Sequence, residues 1–278
     1  MYDIDRRRER KECAGMINHL KAKLKAGERV FGTWSMLGSP SVMNTIGHAG
    51  VDFIIIDMEH GPMSFETVEA QLYAAESAGC SPIVRLGDAN EQAILHALEI
   101  GAQSLMVSHV STPEEAARIV KATRYYPEGE RGLSPFTRNH GYSDVGIAEK
   151  LRHANEQMFI GVLVEGEEGL NQLEKICEVG NLDMVYLGVY DISQSVGVSG
   201  DVNHPKVIRI VRDCVKMIND KGIIAGSVAR DRDYIQLLVE TGFRFISYRV
   251  DAAVLREGFE SAQGWFLESL RGRCNDEK

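Results

Sequence analysis

No apolar run in this 278-residue chain is long enough to cross a membrane; Phe53-Ile54-Ile55-Ile56 is typical, against the roughly 18–20 residues that a spanning helix needs. The opening MYDIDRRRERKECAG lacks the apolar stretch of a secretory signal. Basic charge is in deficit, with 31 Lys and Arg against 40 Asp and Glu for a net −9. That disfavours nucleic acid as a partner and suits a small-molecule role. Five cysteines (Cys13, Cys80, Cys177, Cys214, Cys274) form no CxxC and no metal spacing, so reduced thiols in a cytoplasm are expected. The glycines of GLNQL and GVSG lack the GxGxxG order of a dinucleotide site, and no GKS or GKT is present for a phosphate loop. The histidines form no HExxH. Lys121, Lys150, Lys175 and Lys216 fall in expected helices or connections. The usual placement of a Schiff-base lysine is therefore missing, leaving a metal as the electrophile for any enol chemistry.

What is present is an ordinary globular mixture, 44% hydrophobic and 26% charged. Short β-branched runs alternate with longer segments of helical period. Strands are expected at 30–36, 51–57, 81–86, 103–110, 158–165, 184–188, 223–228 and 243–248. Helices are expected at 41–48, 67–78, 91–98, 113–123, 169–178, 205–221 and 231–240. Most of the strands are apolar on both faces, as parallel strands covered by helices must be. Gly79, Gly101, Gly180, Gly222 and Gly242 each follow a helical run, where left-handed backbone ends a helix. Eight such units in about 250 residues point to an α/β (β/α)₈ TIM barrel, with a doubly wound open sheet as the alternative. Residues 1–22 read as a charged N-terminal arm, and 23–278 as a single barrel domain with a C-terminal helical extension. The Gly/Pro/Asn-rich stretch between Tyr126 and Glu149 is too long for a plain connection and is expected to be a lid or binding loop.

Barrel active sites are built where the C-terminal ends of the strands converge. The second strand ends in Asp57, Glu59 and His60, the third in Arg85 and the fifth in Glu165, while Asp191 follows the sixth. Acids directly after apolar runs cost several kcal/mol if buried unpaired, so something must compensate them. For Glu165 and Asp191 a divalent cation, Mg²⁺ or Mn²⁺, is one partner; capping of the helices that follow is the other. His60 is placed either to act as a general base or to bond a loop carbonyl. Arg85 would hold a carboxylate or polarise a carbonyl oxygen, or else pair with a neighbouring acid.

Together, DMEHGP at 57–62, VRL at 84–86, LEIGAQSLMV at 98–107, YYPEGERG at 125–132, VLVEGEEGLNQL at 162–173 and YLGVYDISQSVGVSGDVNHP at 186–205 resemble the metal-dependent class II pyruvate aldolases, the HpcH/HpaI family. The resemblance runs from about Gly32 to Leu255. It implies a (β/α)₈ barrel, commonly a hexamer whose C-terminal helix is exchanged between neighbours. It also implies metal ligands at Glu165 and Asp191, an arginine for the ketone oxygen at Arg85, a base at His60 and, at Glu99, the acid that orients that histidine. Trp34 matches an aromatic residue beside the substrate.

Several positions depart from the family pattern. Val107-Ser108-His109-Val110 stands for VPMV, Leu163 for a glutamine, and Gly188-Val189-Tyr190-Asp191 for Gly-Pro-Ala-Asp, while Arg249 replaces a common glycine. Retained enolate chemistry with an altered acceptor pocket is the expectation: a carbon–carbon lyase acting on a 2-oxo acid and an aldehyde, with Gly188, Tyr190 and Arg249 in the substrate wall. The same departures leave room for a condensing enzyme that joins oxaloacetate to an acetyl thioester, as in a citrate synthase of siderophore assembly. An inactive scaffold barrel is a third reading. Arg249 is expected to meet either a protein carboxylate such as Asp251 or an anionic group on the acceptor. Trp265, Phe266 and Leu270 recur at helical intervals in the C-terminal segment, and that apolar face, with the family habit, points to a homo-oligomer, a hexamer.

Overall fold

The computed structural model describes residues 17–272. Its strands are β1 (Val30–Ser35), β2 (Phe53–Asp57), β3 (Ser81–Leu86), β4 (Ser104–Val107), β5 (Phe159–Val164), β6 (Met184–Leu187), β7 (Ile224–Ala229) and β8 (Phe245–Val250). All pair in parallel with their neighbours in sequence order, and β8 returns to β1. Closure decides between the two architectures read from the sequence: this is a closed eight-stranded α/β barrel, and the open sheet is excluded.

The helices are α1 (His19–Lys25), α2 (Pro40–His48), α3 (Phe65–Ser77), α4 (Glu91–Glu99), α5 (Pro113–Thr123), α6 (Ile147–Gln157), α7 (Glu167–Asn171), α8 (Leu173–Ile176), α9 (Val189–Ser195), α10 (Pro205–Asp220), α11 (Arg232–Thr241) and α12 (Asp251–Gly272). In β2, Ile54 and Ile56 pack outward against the helical layer, while Phe53 and Ile55 fill the barrel interior. Both faces are buried, so the run carries no polar alternation until Asp57. Phe53 stacks on Phe245 with centroids 3.9 Å apart. Gly32 makes room for that pair, because a Cβ there would lie 2.2 Å from the Phe53 carbonyl oxygen and 2.5 Å from its ring.

Four of the five expected glycine helix stops take positive φ: Gly79, Gly101, Gly222 and Gly242. The fifth does not. Asn181 (φ +64) takes the left-handed position beside Gly180, as its short polar side chain tolerates. The helix expected at 169–178 is broken at Gln172 into α7 and α8. Helix α6 was not foreseen from IAEKLRHANEQ; its apolar side chains Ile147, Leu151 and Ala154 are only half-buried, and its one fully buried residue is Asn155.

The boundary expected at residue 22 falls inside α1. Leu20 and Leu24, one turn apart, are buried in the interior cluster and close the bottom of the barrel. Lys21 pairs with Asp183 at 3.0 Å, and the Asn18 side chain donates to Ser104 Oγ at 3.0 Å and to the Gln103 carbonyl at 3.1 Å. From residue 17 onward the expected arm is therefore part of the barrel; the rest of it lies outside the described residues.

The long segment after Tyr126 is also not a lid over the strand ends of its own chain. It leaves the C-terminal end of α5, which returns to the bottom of the barrel, and is tied there by Arg131 to Glu99 (3.0 Å) and by Arg138 to the Ile100 carbonyl (3.2 Å). Among the described residues no helix is long and apolar enough to cross a membrane. Cys80, Cys177 and Cys214 are buried free thiols; Cys13 and Cys274 lie outside the described residues.

His140 anchors this segment by its Nε2 contact with the Tyr125 hydroxyl at 2.7 Å. Burial, aided by the charge of Arg131, lowers its pKa from 6.5 to about 4. The unfolded chain therefore takes up a proton that the folded protein resists. Stability is expected to fall as pH drops from about 6.5 towards 4 and to gain no further loss from this group below that. Urea denaturation of His140→Asn across the same range should lose this part of the slope.

Candidate active site

The cluster at the mouth of the barrel starts with Asp57, the last residue of β2. Buried after an apolar run, it is compensated in full view: Oδ1 accepts from the backbone N–H of Glu59 (3.0 Å) and of His60 (3.1 Å), and Oδ2 from Arg85 at 3.2 Å. Arg85 sits opposite it in the β2–β3 register. Its Nε donates to Ser108 Oγ at 2.7 Å, its second terminal nitrogen lies 2.6 Å from Glu59 Oε2, and its guanidinium carbon lies 5.1 Å from the Trp34 ring centroid. Burial pushes the Glu59 carboxyl up, but Ser108, Arg85 and His109 together outweigh it and hold its pKa below the usual value.

Trp34 forms the floor. Its Nε1 donates to Ser247 Oγ (2.8 Å) and to the Tyr186 hydroxyl (3.2 Å), and Tyr186 and Ser247 share a 2.7 Å bond. Each polar tip of this otherwise apolar layer has a side-chain partner, which fixes the floor.

Across the mouth, Glu165 follows β5 and Asp191 lies in the first turn of α9. Glu165 is buried and Asp191 exposed. Burial pushes the Glu165 carboxyl up to about 7; His109 opposes that shift, and the charge of Asp191 adds to it. Its Oε1 is buried without a well-directed hydrogen bond, although His109 Nδ1 lies 2.7 Å away. A carboxylate with an unsatisfied oxygen and a second acid nearby fits a hard divalent cation. Among the described residues no three His, Cys, Asp or Glu side chains already converge as a metal cage, so water and substrate would complete the coordination.

Gly188 is required here. A Cβ at that position would lie 2.7 Å from Glu165 Oε2 and 2.8 Å from its Cβ.

Of the expected site residues, Trp34, His60, Arg85, Glu165, Gly188, Tyr190, Asp191 and Arg249 line one cavity of about 380 Å³. Glu99 does not join them. It ends α4, at the opposite end of the barrel, and pairs with Arg131 at 3.0 Å; the chain does not bring it to His60. The acid beside the exposed His60 ring is Glu59, 3.6 Å from Nε2.

Arg249 takes φ +44, a conformation open to glycine without strain, which accounts for the glycine common at this place in the aldolases that the sequence resembles. It meets Glu257 rather than Asp251, and its Nε donates to the Arg230 carbonyl at 2.5 Å. Asp251 is occupied by Ser35 Oγ and the backbone N–H groups of Met36 and Leu37.

The sequence placed Glu59 at the end of the second strand and Ser108 and His109 in the altered substrate wall, but not their contacts with Arg85 and Glu165. His109 Nε2 lies 2.9 Å from Glu59 Oε1. A chain of close polar contacts thus runs from Arg85 through Glu59 and His109 to Glu165.

The sequence profile of the family described as "HpcH/HpaI aldolase/citrate lyase" matches residues 30–257. The chain belongs to this HpcH/HpaI family. It is 33% identical over 240 residues to a hydroxypyruvate/pyruvate aldolase of Roseobacter denitrificans, covering 86% of this chain and 93% of that one. A solved structure of an HpcH/HpaI aldolase/citrate lyase family protein from Burkholderia cenocepacia is similar with a TM-score of 0.84 at 31% identity, covering 91% of this chain and 99% of that one. The citrate synthase SbnG is similar with a TM-score of 0.82 at 28% identity over 90% of this chain and 98% of that one. HpcH/HpaI membership and the aldolase relatives support the expected carbon–carbon lyase.

The close fit of Gly188 to Glu165 makes a test of the cluster. Gly188→Ala should displace the carboxylate and lower turnover by about 100-fold, as misplacement of a reacting group by about 1 Å does. The thermal unfolding midpoint should fall as well, because the approach to the Glu165 Cβ cannot be relieved by turning the carboxylate alone.

Proposed function

We propose that the protein is a divalent-metal-dependent aldolase that cleaves a hydroxylated 2-oxo acid to a pyruvate-type enolate and an aldehyde. The observation that carries this is the pairing, across one cavity, of a buried arginine held by Asp57, Glu59 and Ser108 with two acids, Glu165 and Asp191, that form no ion pair with an arginine or lysine among the described residues. Glu165 and Asp191 would hold the cation, Mg²⁺ or Mn²⁺. When bound, it would supply electrophilic stabilisation to an enolate oxygen.

Arg85 would direct its guanidinium to the same oxygen. His60, exposed at the rim, would take the proton of the hydroxyl on the carbon that leaves, directly or through water. The carbon–carbon bond then breaks, its electron pair passes into the enolate, and the aldehyde departs; a proton returned to carbon gives the 2-oxo acid. Trp34, Tyr186 and Ser247 exclude water beneath the reacting carbon.

The similarity to the citrate synthase SbnG favours a second reading, in which the same enolate machinery runs as a condensation of oxaloacetate with an acetyl thioester. Isotope incorporation into citrate separates the two. A homo-oligomer, a hexamer in this reading, is supported by the exposed Phe259, Trp265, Phe266 and Leu270 on α12, a face large enough to seek a partner. A cytoplasmic location is supported by the three buried free thiols.

Glu165→Gln and Asp191→Asn should each lower affinity for divalent metal and turnover together. Chelation by EDTA should abolish exchange of the pyruvate methyl protons with deuterated water, measured by NMR; exchange that survives chelation would remove the metal from the mechanism.

Arg230 and Arg249 line the cavity on the β7–β8 side, where an anionic acceptor would be met. Because Glu257 already neutralises part of Arg249, its loss should weaken an acceptor carrying a distal carboxylate only by roughly tenfold in KM, about 1.4 kcal/mol. Neutral aldehydes should be turned over as before. Equal losses for both would make Arg249 structural.

A further inference from the structure

We propose that Arg230 selects the acceptor by pairing with an anionic group at its far end, and that Arg249 positions Arg230 without itself meeting the anion; this rests on the aldolase reading above. Both arginines line the cavity that also holds Arg85 and His60, but their guanidinium groups are committed to different degrees. A guanidinium offers an anion two edges: its two terminal nitrogens, or Nε with one of them. In Arg249 each edge has already lost a donor. Nε donates to the Arg230 carbonyl at 2.5 Å, and a terminal nitrogen pairs with Glu257. Arg230 is tied through Nε alone, which donates to Asp231 Oδ2 at 2.9 Å. Among the described residues its terminal nitrogens donate no hydrogen bond. Arg230 therefore keeps the edge that takes a carboxylate or phosphate through two parallel bonds.

Arg230 is also held at both ends. Arg249 fixes its carbonyl directly after β7, and does so from left-handed backbone, φ +44, which a non-glycine residue adopts only at a cost. Asp231 fixes the Nε edge. That carboxylate is itself anchored, because Oδ1 accepts the Tyr234 backbone N–H at 2.8 Å as the cap of α11. A charged side chain oriented before its ligand arrives loses less freedom on binding. The strain at position 249 thus serves the orientation of its neighbour, and Glu257 holds Arg249 to that task.

The test is steady-state condensation with pyruvate, with succinic semialdehyde set against butanal and glycolaldehyde phosphate against glycolaldehyde. Each anion then has a neutral match. Calorimetric binding of the two anionic aldehydes to the full chain gives a readout that needs no turnover. Thermal unfolding checks that Arg230→Ala, Arg249→Ala and the double variant are folded, with Arg230→Gln as a milder substitution. Arg230→Ala should lower the preference for the charged member of a pair, as a ratio of kcat/KM, by about 30-fold, through KM more than kcat, the usual loss of a charge-assisted contact. The pair that shows it identifies the anion. Arg249→Ala should lower the preference by about tenfold, and the double variant no further than Arg230→Ala; independent contacts would multiply to about 300-fold. Glu257→Gln should not raise the preference, as it would if Arg249 met the anion directly. A multiplied loss, a preference raised by Glu257→Gln, equal losses for charged and neutral aldehydes in the Arg230 variants, or no preference for either anion in the wild type would overturn the proposal. Anionic aldehydes that bind in an Arg230-dependent way but are never joined to pyruvate would support it and overturn the aldolase reading beneath it.

Discussion

A guanidinium buried at the end of an apolar strand is stable only if acids are brought to it, and Arg85 obtains two from the neighbouring strand. Asp57 reaches it through the β2–β3 register, and Glu59 reaches it because the chain turns directly after Asp57. The turn is itself made by Asp57, whose other oxygen accepts the Glu59 and His60 backbone N–H groups. One carboxylate therefore neutralises the arginine, sets the loop and presents His60 to the cavity. Removing the arginine would leave two acids uncompensated in low dielectric, which is the costly side of any buried ion pair. The remainder of the mouth is arranged around this fixed positive centre, including the indole that lies beside it.

The opposite wall has the inverse problem. Glu165 and Asp191 bring negative charge without an arginine or lysine of their own, and the carboxyl of Glu165 is held uneasily by burial. Guanidinium donors on one wall and carboxylates without an arginine or lysine partner on the other suit a reactant with a chelating 2-oxo acid head, whose oxygens can span from guanidinium to cation. His109 is the side chain that connects the walls.

Much of this was legible in the sequence. The eight strands could be placed because they are short, mostly apolar on both faces and alternate with helical segments, several of which end in a glycine stop. Acids and a cation directly after such runs marked the mouth of the barrel, and the ordered motifs marked the family. What stayed hidden depended on contacts between distant segments. Leu20 and Leu24 sit in a lysine-rich stretch whose charge masks a two-residue apolar stripe, so α1 read as part of an arm. Glu99 was assigned by motif, whereas a helix running back from the mouth carries its last residue to the far end. Asn181 could not be told from Gly180 as the helix stop, since both residue types tolerate left-handed backbone. The bridge made by His109 needs three loops at once, and no spacing in one segment encodes it.

The barrel divides its duties by arc. Residues that follow β2 to β6 hold the groups assigned to bond breaking, whereas Arg230 and Arg249, from β7 and β8, line the remainder of the cavity. These arcs meet at Trp34 on β1 and at Tyr190 after β6. Because a closed barrel lets each strand end vary its loop while the hydrogen-bonded ring stays intact, the second arc can be rewritten without moving the first. A new partner for the same nucleophile can thus arise by substitutions confined to one quarter of the circumference, and the glycine-to-arginine exchange at position 249 is a change of that kind.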